Sequence, residues 1–271
     1  MSKISIIMGA YNAEKRISKA IQSIIDQTFD DWELIVCDDG STDLTANVVK
    51  SYSQKDQRIK LISNKKNSGL AFSLNNCILN STSEYIARMD DDDISFPDRL
   101  RLQYLYMENN PECSILGTAR KIYDENGIWG EEIKPHIVTK NMIIKTTPFI
   151  HPSVMIRRKD LIEVGMYTVS NITMRTEDID LWIKLYTAGK IGHNLNQFLI
   201  YYFEGKESYT KRRYVYRVHE AIIRIRAIRK LHLNWISIVF PLKTLFVGLL
   251  PAKTMIKMKH KRFKLGNKDE F

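Results

Sequence analysis

The chain has 271 residues, of which 44% are hydrophobic and 27% charged, a composition typical of a globular protein that buries a full core. Its three cysteines, Cys37, Cys77 and Cys113, form no CxxC pair, which argues against a disulfide framework and indicates reduced thiols in the core. The net charge of +10 is uneven, because residues 206–271 hold 17 Lys/Arg and 4 Asp/Glu, whereas residues 1–205 carry a net charge of −3.

The N-terminal part alternates short β-rich segments with amphipathic helical segments. We predict strands at residues 4–8, 32–37, 59–62 and 85–89, with a helix after each of the first three. This alternation is the pattern of a mostly parallel sheet with helices on its faces.

Polar motifs follow three of these strands at the point where each strand ends. They are Ala10-Tyr11-Asn12, Asp38-Asp39-Gly40-Ser41 and the four consecutive aspartates 90–93. Ligands of an open α/β sheet bind in the crevice beyond the carboxyl ends of its strands. We therefore expect the three motifs to converge on one pocket.

The four aspartates indicate a cation. Carboxylates this close repel one another and raise each other's pKa, so their ionised forms need a positive charge or solvent nearby. Hard oxygen ligands suit magnesium or manganese carried with a diphosphate. The alternative is a solvated acidic turn before the helix that Pro97 begins. An EF-hand fits poorly, because Ser95 and Arg101 stand where that loop requires Gly and Glu.

The second half is harder to order from its sequence. Gly127 and Gly130 bracket a predicted hairpin, and residues 147–157 are predicted to be extended. A helix is predicted to begin at Glu177, with acidic residues in its first turn, where the helix dipole favours them.

Taken in order, five motifs resemble those of the family 2 glycosyltransferases, which are inverting sugar-nucleotide enzymes of the GT-A fold. The motifs are Ser5-Ile-Ile-Met-Gly-Ala-Tyr-Asn12, Val36-Cys-Asp-Asp-Gly-Ser-Thr-Asp43, Asn67-Ser-Gly69, Asp90-x-Asp92-Asp93 with Pro97-Asp-Arg-Leu100, and Thr176-Glu-Asp178 with Leu181-Trp182. The resemblance covers about residues 3–205. It implies a Rossmann-like α/β catalytic domain at residues 1–205 with a mostly parallel central sheet and flanking helices. The domain would divide into a nucleotide-sugar-binding half, about 1–113, and an acceptor-binding half, about 114–205.

The same resemblance implies a nucleotide site. Tyr11 would stack on the nucleobase and Asp39 would accept a base N–H, which favours a UDP-sugar donor. The remaining nucleotide-binding residues would be Ala10, Asn12, Asn67, Gly69, Asp90 and Asp91. From the residues alone, core packing is the default interpretation of Tyr11, Asp39 could equally well cap the turn at Gly40, and the Asn67 segment could be an ordinary turn.

The aspartate motif corresponds to the family's D-x-D motif. The resemblance implies that Asp92 ligates Mn²⁺ or Mg²⁺ directly and that Asp90 faces the ribose or a metal-bound water. Asp91 and Asp93 would assist. The family often has a small residue in place of Asp91, so the division of labour within the motif stays open.

The resemblance also implies a catalytic base. Asp178 occupies that position, and Glu177 and His151 would lie on the acceptor side. An inverting transfer needs one base to take the proton of the acceptor hydroxyl as it attacks. The alternative for the acids is that they only serve the N-terminus of their helix.

The basic tail, residues 206–271, is predicted to be helical and amphipathic. Its apolar segment, residues 235–250, is shorter than the roughly 20 residues that span a bilayer. We expect it to lie on an anionic membrane surface. The alternative is a helical subdomain packed on the catalytic fold or on a dimer partner. No RNA module accompanies the arginines, so nucleic acid is not an expected partner, and the sequence leaves the oligomeric state open.

The leading hypothesis is a cytoplasmic transferase, peripheral at the membrane, that moves a sugar from a UDP-sugar to a saccharide acceptor of a surface polysaccharide. The tail suggests that this acceptor is lipid-linked. The expected cytoplasmic location also rests on the N-terminus, because the apolar segment at residues 1–8 is too short for the core of a signal peptide. The alternatives are a nucleotidyltransferase and a non-catalytic protein that binds membrane or nucleic acid through its tail.

Overall fold

The structure is a computed structural model that describes residues 2–205 and 213–263. Its strands are β1 Ile4–Ala10, β2 Trp32–Asp38, β3 Ile59–Ser63, β4 Tyr85–Arg88, β5 Ile94–Ser95, β6 Cys113–Asp124, β7 Gly127–Glu132, β8 Ile137–Val138, β9 Met155–Arg157 and β10 Ile191–Phe203. Its helices are α1 Ile17–Ile25, α2 Thr45–Ser53, α3 Leu70–Leu79, α4 Arg99–Asn109, α5 Lys140–Lys145, α6 Arg158–Glu163, α7 Glu177–Thr187, α8 Tyr214–Lys230, α9 Val239–Gly248 and α10 Ala252–Phe263. Short 3-10 turns lie at His151–Ser153 and Trp235–Ile238.

The described strands form one sheet in the order β3-β2-β1-β4-β9-β6-β10-β5, with β7 paired to β6 and β8 to β10. The strands β3, β2, β1 and β4 run parallel, so their carboxyl ends meet at one edge. In the second half β6 and β10 are parallel, but β9 joins β4 to β6 by antiparallel pairing. The predicted α/β class with a central sheet and flanking helices is confirmed. The described sheet is mixed and not mostly parallel, because β5, β7, β8 and β9 all pair antiparallel with their neighbours.

Side chains of β1 alternate between two apolar cores, one on each face of the sheet. Ile6 and Met8 pack in the cluster that contains α1, whereas Ile7 packs in the cluster that contains Trp182 of α7. Successive residues of a strand point to opposite faces, so a strand covered on both sides reads as a continuous apolar run. The three cysteines are buried and free, as predicted.

Prolines account for one difference between the prediction and the structure. Residues 147–157 are not extended throughout, because a 3-10 turn at His151–Ser153 precedes the short strand β9. Pro148 and Pro152 lack the N–H group that a strand needs for pairing, which confines the strand to the last three residues.

The β6–β7 hairpin forms, but Gly130 lies inside β7 instead of flanking the turn. A Cβ atom on Gly130 would lie 2.8 Å from the carbonyl oxygen of Phe263, so the glycine admits the end of α10. Across the hairpin Glu132 forms a buried ion pair with Arg120 at 2.5 Å and a second with Lys134 at 2.6 Å.

The first described helix of the basic tail, α8, packs against the catalytic fold. Ile223, Ala227 and Ile228 of α8 are buried in the same cluster as Trp182, and Arg224 donates to the carbonyl oxygens of α5 and of Thr146. Beyond α8 many apolar side chains are exposed. Among the residues described, every helix is too short or too polar to cross a bilayer. The domain boundary at 205/206 stays a prediction.

Candidate active site

The three strand-end motifs come together at the carboxyl edge of the sheet. The backbone N–H of Tyr11 donates to Asp91 Oδ2 at 3.4 Å, and that of Asn12 donates to Ser41 Oγ at 3.0 Å. In return, Asn12 Oδ1 accepts the N–H of Thr42 at 2.9 Å. The convergence expected from the sheet topology is therefore present.

Tyr11 is not a core residue. Its side chain is 46% exposed, although the preceding Ala10 is buried at the end of β1. The carbonyl oxygen of Ala10 accepts the N–H of Asp39 at 2.8 Å, so Ala10 contributes to the site through its backbone. The exposed phenol ring leaves a face on which a planar ligand can stack.

Asp39 holds the loop that contains Asn67 and Gly69. Its carboxylate accepts Ser68 N–H at 2.9 Å, Gly69 N–H at 2.8 Å and the Asn64 side chain at 2.7 Å. Asn67 is exposed in the same loop. Asp39 is therefore the residue that fixes the loop, with at most one lone pair left for a ligand.

The alternative role of Asp39, capping the turn at Gly40, is wrong. Asp38 accepts the N–H of Ser41 across that turn, at 3.3 Å. Gly40 has φ +72°, and a Cβ atom there would lie 2.8 Å from the carbonyl carbon of Lys66. The glycine thus lets the turn approach the loop that Asp39 holds.

Carboxylate oxygens of Asp90, Asp92 and Asp93 lie within 4.8 Å of one another. Asp93 is buried, and its Oδ1 accepts Phe203 N–H at 2.8 Å. Its Oδ2 is also buried and has no hydrogen-bond partner among residues 2–205 and 213–263. Three hard oxygen donors, one of them unpartnered, fit a magnesium or manganese ion. Asp91 points instead to the backbone of Tyr11.

Burial favours the protonated forms of Asp91, Asp92 and Asp93 by raising their pKa values. Burial, with the charges of its neighbours, raises the pKa of Asp91 to about 8 and that of Asp92 to about 7. Burial also raises the pKa of Asp93 well above its usual range. Arg88 opposes these shifts, and it contacts Asp90 directly.

Sequence reasoning assigned no role to the polar residues of α4 that support this cluster, although the motif Pro97-Asp-Arg-Leu100 includes Arg99. Arg99 is fully buried, donates to the carbonyl oxygen of Arg88 at 2.6 Å and to Ser95 Oγ at 2.9 Å, and burial lowers its pKa to about 9. Gln103, one turn later, donates to the carbonyl oxygens of Leu116 and of Ser153. The two polar residues lie four apart on the face of α4 that also buries Leu100, a spacing that could have identified them.

The predicted catalytic acids begin α7. Asp178 Oδ1 accepts the N–H of Ile179 at 2.8 Å, and burial raises the pKa of Asp178. Burial and the charge of Asp178 together raise the pKa of Glu177 to about 7. Carboxylates with raised pKa values are suited to accept a proton near neutral pH.

His151 packs against α7, the helix that begins with this pair. Its Nε2 is 2.8 Å from the hydroxyl of Tyr167, and its ring meets that of Trp182 edge-on, with centroids 5.9 Å apart. Burial and the charge of Arg88 hold the pKa of His151 well below its usual range. The imidazole is therefore neutral at physiological pH.

Comparisons with known proteins identify the family to which this site belongs. Residues 5–165 match the family described as Glycosyl transferase family 2. The chain is 38% identical to the putative glycosyltransferase EpsE of Bacillus subtilis (strain 168) over 261 residues, 96% of this chain and 94% of that protein.

A second relative and a solved structure have names that specify substrates. The Escherichia coli protein UDP-Glc:alpha-D-GlcNAc-diphosphoundecaprenol beta-1,3-glucosyltransferase WfgD is 38% identical over 142 residues, 52% of this chain and 55% of that one. The crystal structure of S. aureus TarS 1-349 in complex with UDP-GlcNAc has a TM-score of 0.72 at 20% identity, covering 90% of this chain and 73% of that chain. At that identity, the likeness to TarS shows the fold.

Proposed function

The chain belongs to glycosyl transferase family 2, and we propose that it is an inverting, metal-dependent enzyme that moves a sugar from a UDP-sugar to a saccharide hydroxyl. One observation carries the proposal. Arg88 pairs with Asp90 of the three clustered carboxylates, and the face of β4 from which Arg88 projects packs against α7, the helix that begins with the acids Glu177 and Asp178. This supplies the two acidic centres that such a transfer requires, one for the donor and one for the acceptor.

The donor half of the proposal rests on Tyr11 and the aspartates. Tyr11 offers an exposed ring for stacking on uracil, and the loop held by Asp39 would lie beside the ribose or phosphate. Asp92 and Asp90 would hold the cation, with Asp93 as a third ligand. Mn²⁺ or Mg²⁺, when bound, stabilises the negative charge that develops on the leaving diphosphate. The name of WfgD and the ligand of the TarS crystal support UDP as the nucleotide.

The acceptor half rests on Asp178. Its carboxylate would take the proton of the acceptor hydroxyl while that oxygen attacks the anomeric carbon on the face opposite the diphosphate. The bond from the sugar to the new oxygen forms as the bond to the diphosphate breaks, which inverts the anomeric centre. Glu177 and His151 would line the acceptor side.

We also propose that the acceptor is lipid-linked and that the enzyme works at the cytoplasmic face of an anionic membrane, in the assembly of a surface polysaccharide. Apolar side chains project into solvent from the segment 235–250; Trp235 is 77% exposed and Phe246 is 72% exposed. The surrounding residues 206–271 have a net charge of +13. Apolar side chains among cations are the combination that binds anionic lipid surfaces.

A thermal-shift titration tests the donor site. We expect UDP with Mn²⁺ to raise the melting temperature more than dTDP, GDP or ADP does, because a ligand that binds only the native state stabilises it. An Asp92→Ala variant should lose the Mn²⁺-dependent part of this shift. If no nucleotide shifts the wild-type protein, the proposed donor class is wrong.

Flotation with vesicles tests the membrane proposal. We expect the protein to float with anionic phosphatidylglycerol vesicles and not with neutral phosphatidylcholine vesicles. Phe246→Ser should reduce flotation, whereas Leu79→Ser, which removes a leucine of α3 that is 63% exposed, should not. Equal flotation of both variants would show that the segment 235–250 is not the contact.

A further inference from the structure

Arg88, the last residue of β4, is a buried cation at the centre of the site. The residue is 2% exposed. It lies two residues after Ile86, so both side chains point to the face of the sheet where Trp182 of α7 packs. One terminal nitrogen, Nη2, pairs with Asp90.

Two further donor nitrogens of Arg88 lack a hydrogen-bond partner in the described part of the chain. Its Nε and Nη1 atoms are buried and find no acceptor among residues 2–205 and 213–263. A guanidinium stays charged and carries five N–H donors, and leaving buried donors unmatched costs free energy. An arginine that served only to hold Asp90 would gain nothing from burying two further nitrogens in this way.

The position of Arg88 specifies which part of the substrate it would meet. It contacts Asp90 of the aspartate cluster, and it projects from the face of β4 that packs against α7, the helix that Glu177 and Asp178 begin. In the proposed transfer the diphosphate leaves from the first group, and the acceptor hydroxyl gives its proton to the second. In that transfer the sugar would lie between the two groups, on the side of the sheet from which Arg88 projects.

We propose that Arg88 binds the transferring sugar of the donor, donating Nε–H and Nη1–H to oxygens of that sugar while Nη2 holds Asp90. Hydroxyl oxygens of a hexose and the carbonyl oxygen of an N-acetyl group are suitable acceptors. Arg88 then distinguishes a nucleotide sugar from the bare nucleotide and helps to select the sugar. The inference rests on the proposed function, since it requires a sugar nucleotide in this crevice.

Calorimetric titrations with Mn²⁺ present test this role, with UDP, UDP-glucose and UDP-N-acetylglucosamine as the probes. The measured quantity is the ratio of the Kd of the sugar nucleotide to the Kd of UDP. In Arg88→Lys and Arg88→Met we expect this ratio to rise at least about tenfold over wild type, because two charge-assisted hydrogen bonds are lost. Circular dichroism shows whether each variant folds. If Arg88→Met does not fold, Arg88→Lys decides the test, because it keeps a buried cation.

Asp90→Asn is the matched control. It disturbs the partner of Arg88 but leaves the two donors in place, so it should weaken UDP and the UDP-sugars alike and leave the ratio within about threefold. A rise equal to that of Arg88→Met would show that Arg88 acts only through Asp90 and would overturn the inference.

The remaining outcomes separate the two proposals. If wild-type protein binds a UDP-sugar and neither Arg88 variant changes the ratio, the inference is wrong and the donor class stands. If wild-type protein binds UDP but neither sugar nucleotide, or binds no nucleotide at all, the proposed donor is wrong and the role of Arg88 falls with it.

Discussion

Lowering the pH from 8 to 6 should weaken the binding of Mn²⁺ to the aspartate cluster. A carboxylate must lose its proton to ligate a metal. If its pKa is raised into this pH range, its affinity for the metal falls as the pH is lowered. With a pKa of about 7, Asp92 is about 90% ionised at pH 8 and about 10% at pH 6, which alone weakens binding roughly tenfold. Loss of the neighbouring charge on Asp91, whose pKa is about 8, adds to this. The expected total is between about 10-fold and 100-fold.

Electron paramagnetic resonance of free Mn²⁺ measures this affinity at pH 6, 7 and 8. Calorimetry at pH 7 in two buffers of different ionisation enthalpy counts the protons released, and we expect about one per bound ion. An ordinary carboxylate, with a pKa near 4, would be fully ionised throughout this range and would release none. An affinity that changes less than twofold between pH 6 and 8, without proton release, would refute the assignment of raised pKa values to the metal site.

Three further predictions concern stability and catalysis. Asp39→Ala should lower the free energy of unfolding in urea by about 3 kcal/mol, because three donors lose their acceptor; a change below about 1 kcal/mol would contradict this. Glu132→Gln should cost about 3 to 5 kcal/mol by leaving Arg120 buried with a weaker partner, whereas Glu131→Gln, at a more exposed pair, should cost under 1. Burial raises the pKa of Glu132, but its two cations outweigh burial and lower it to about 2. Its contribution should therefore persist above pH 4.5 and disappear as the pH falls through about 2, which acid titration of both proteins can check. Asp178→Asn should reduce kcat about 10²-fold to 10⁴-fold with the affinity for UDP unchanged, and near-normal turnover would exclude Asp178 as the base.

The first half of the fold was predictable because its information is local. Each strand of residues 4–63 is an apolar run followed by a turn, and a parallel sheet places the ends of such strands together. The three polar motifs could thus be assigned to one pocket before their contacts were known. The residue type alone did not predict the exposure of Tyr11, since tyrosine is intermediate between core and surface; only the family resemblance indicated a stacking role.

The rest of the site depends on contacts between distant segments. Asp93 is held in the cluster by a distant part of the chain. The backbone N–H of Phe203, 110 positions later, donates a hydrogen bond to Asp93 Oδ1. Arg88 at the end of β4 and Arg99 at the start of α4 look like ordinary charged residues in the sequence, and only the fold shows that both are buried. The pairing of β9 between β4 and β6 sets this environment, and no local pattern encodes it. The division of the catalytic domain near residue 113 stays a prediction.

Anomalous diffraction from crystals grown with Mn²⁺ and UDP tests the central claim most directly. The account predicts a manganese peak ligated by Asp92 and at least one of Asp90 and Asp93, with the diphosphate on the same ion and uracil against the ring of Tyr11. UDP bound at this edge without manganese at the aspartates would contradict the metal assignment. Nucleotide or manganese bound elsewhere on the protein would contradict the donor site itself.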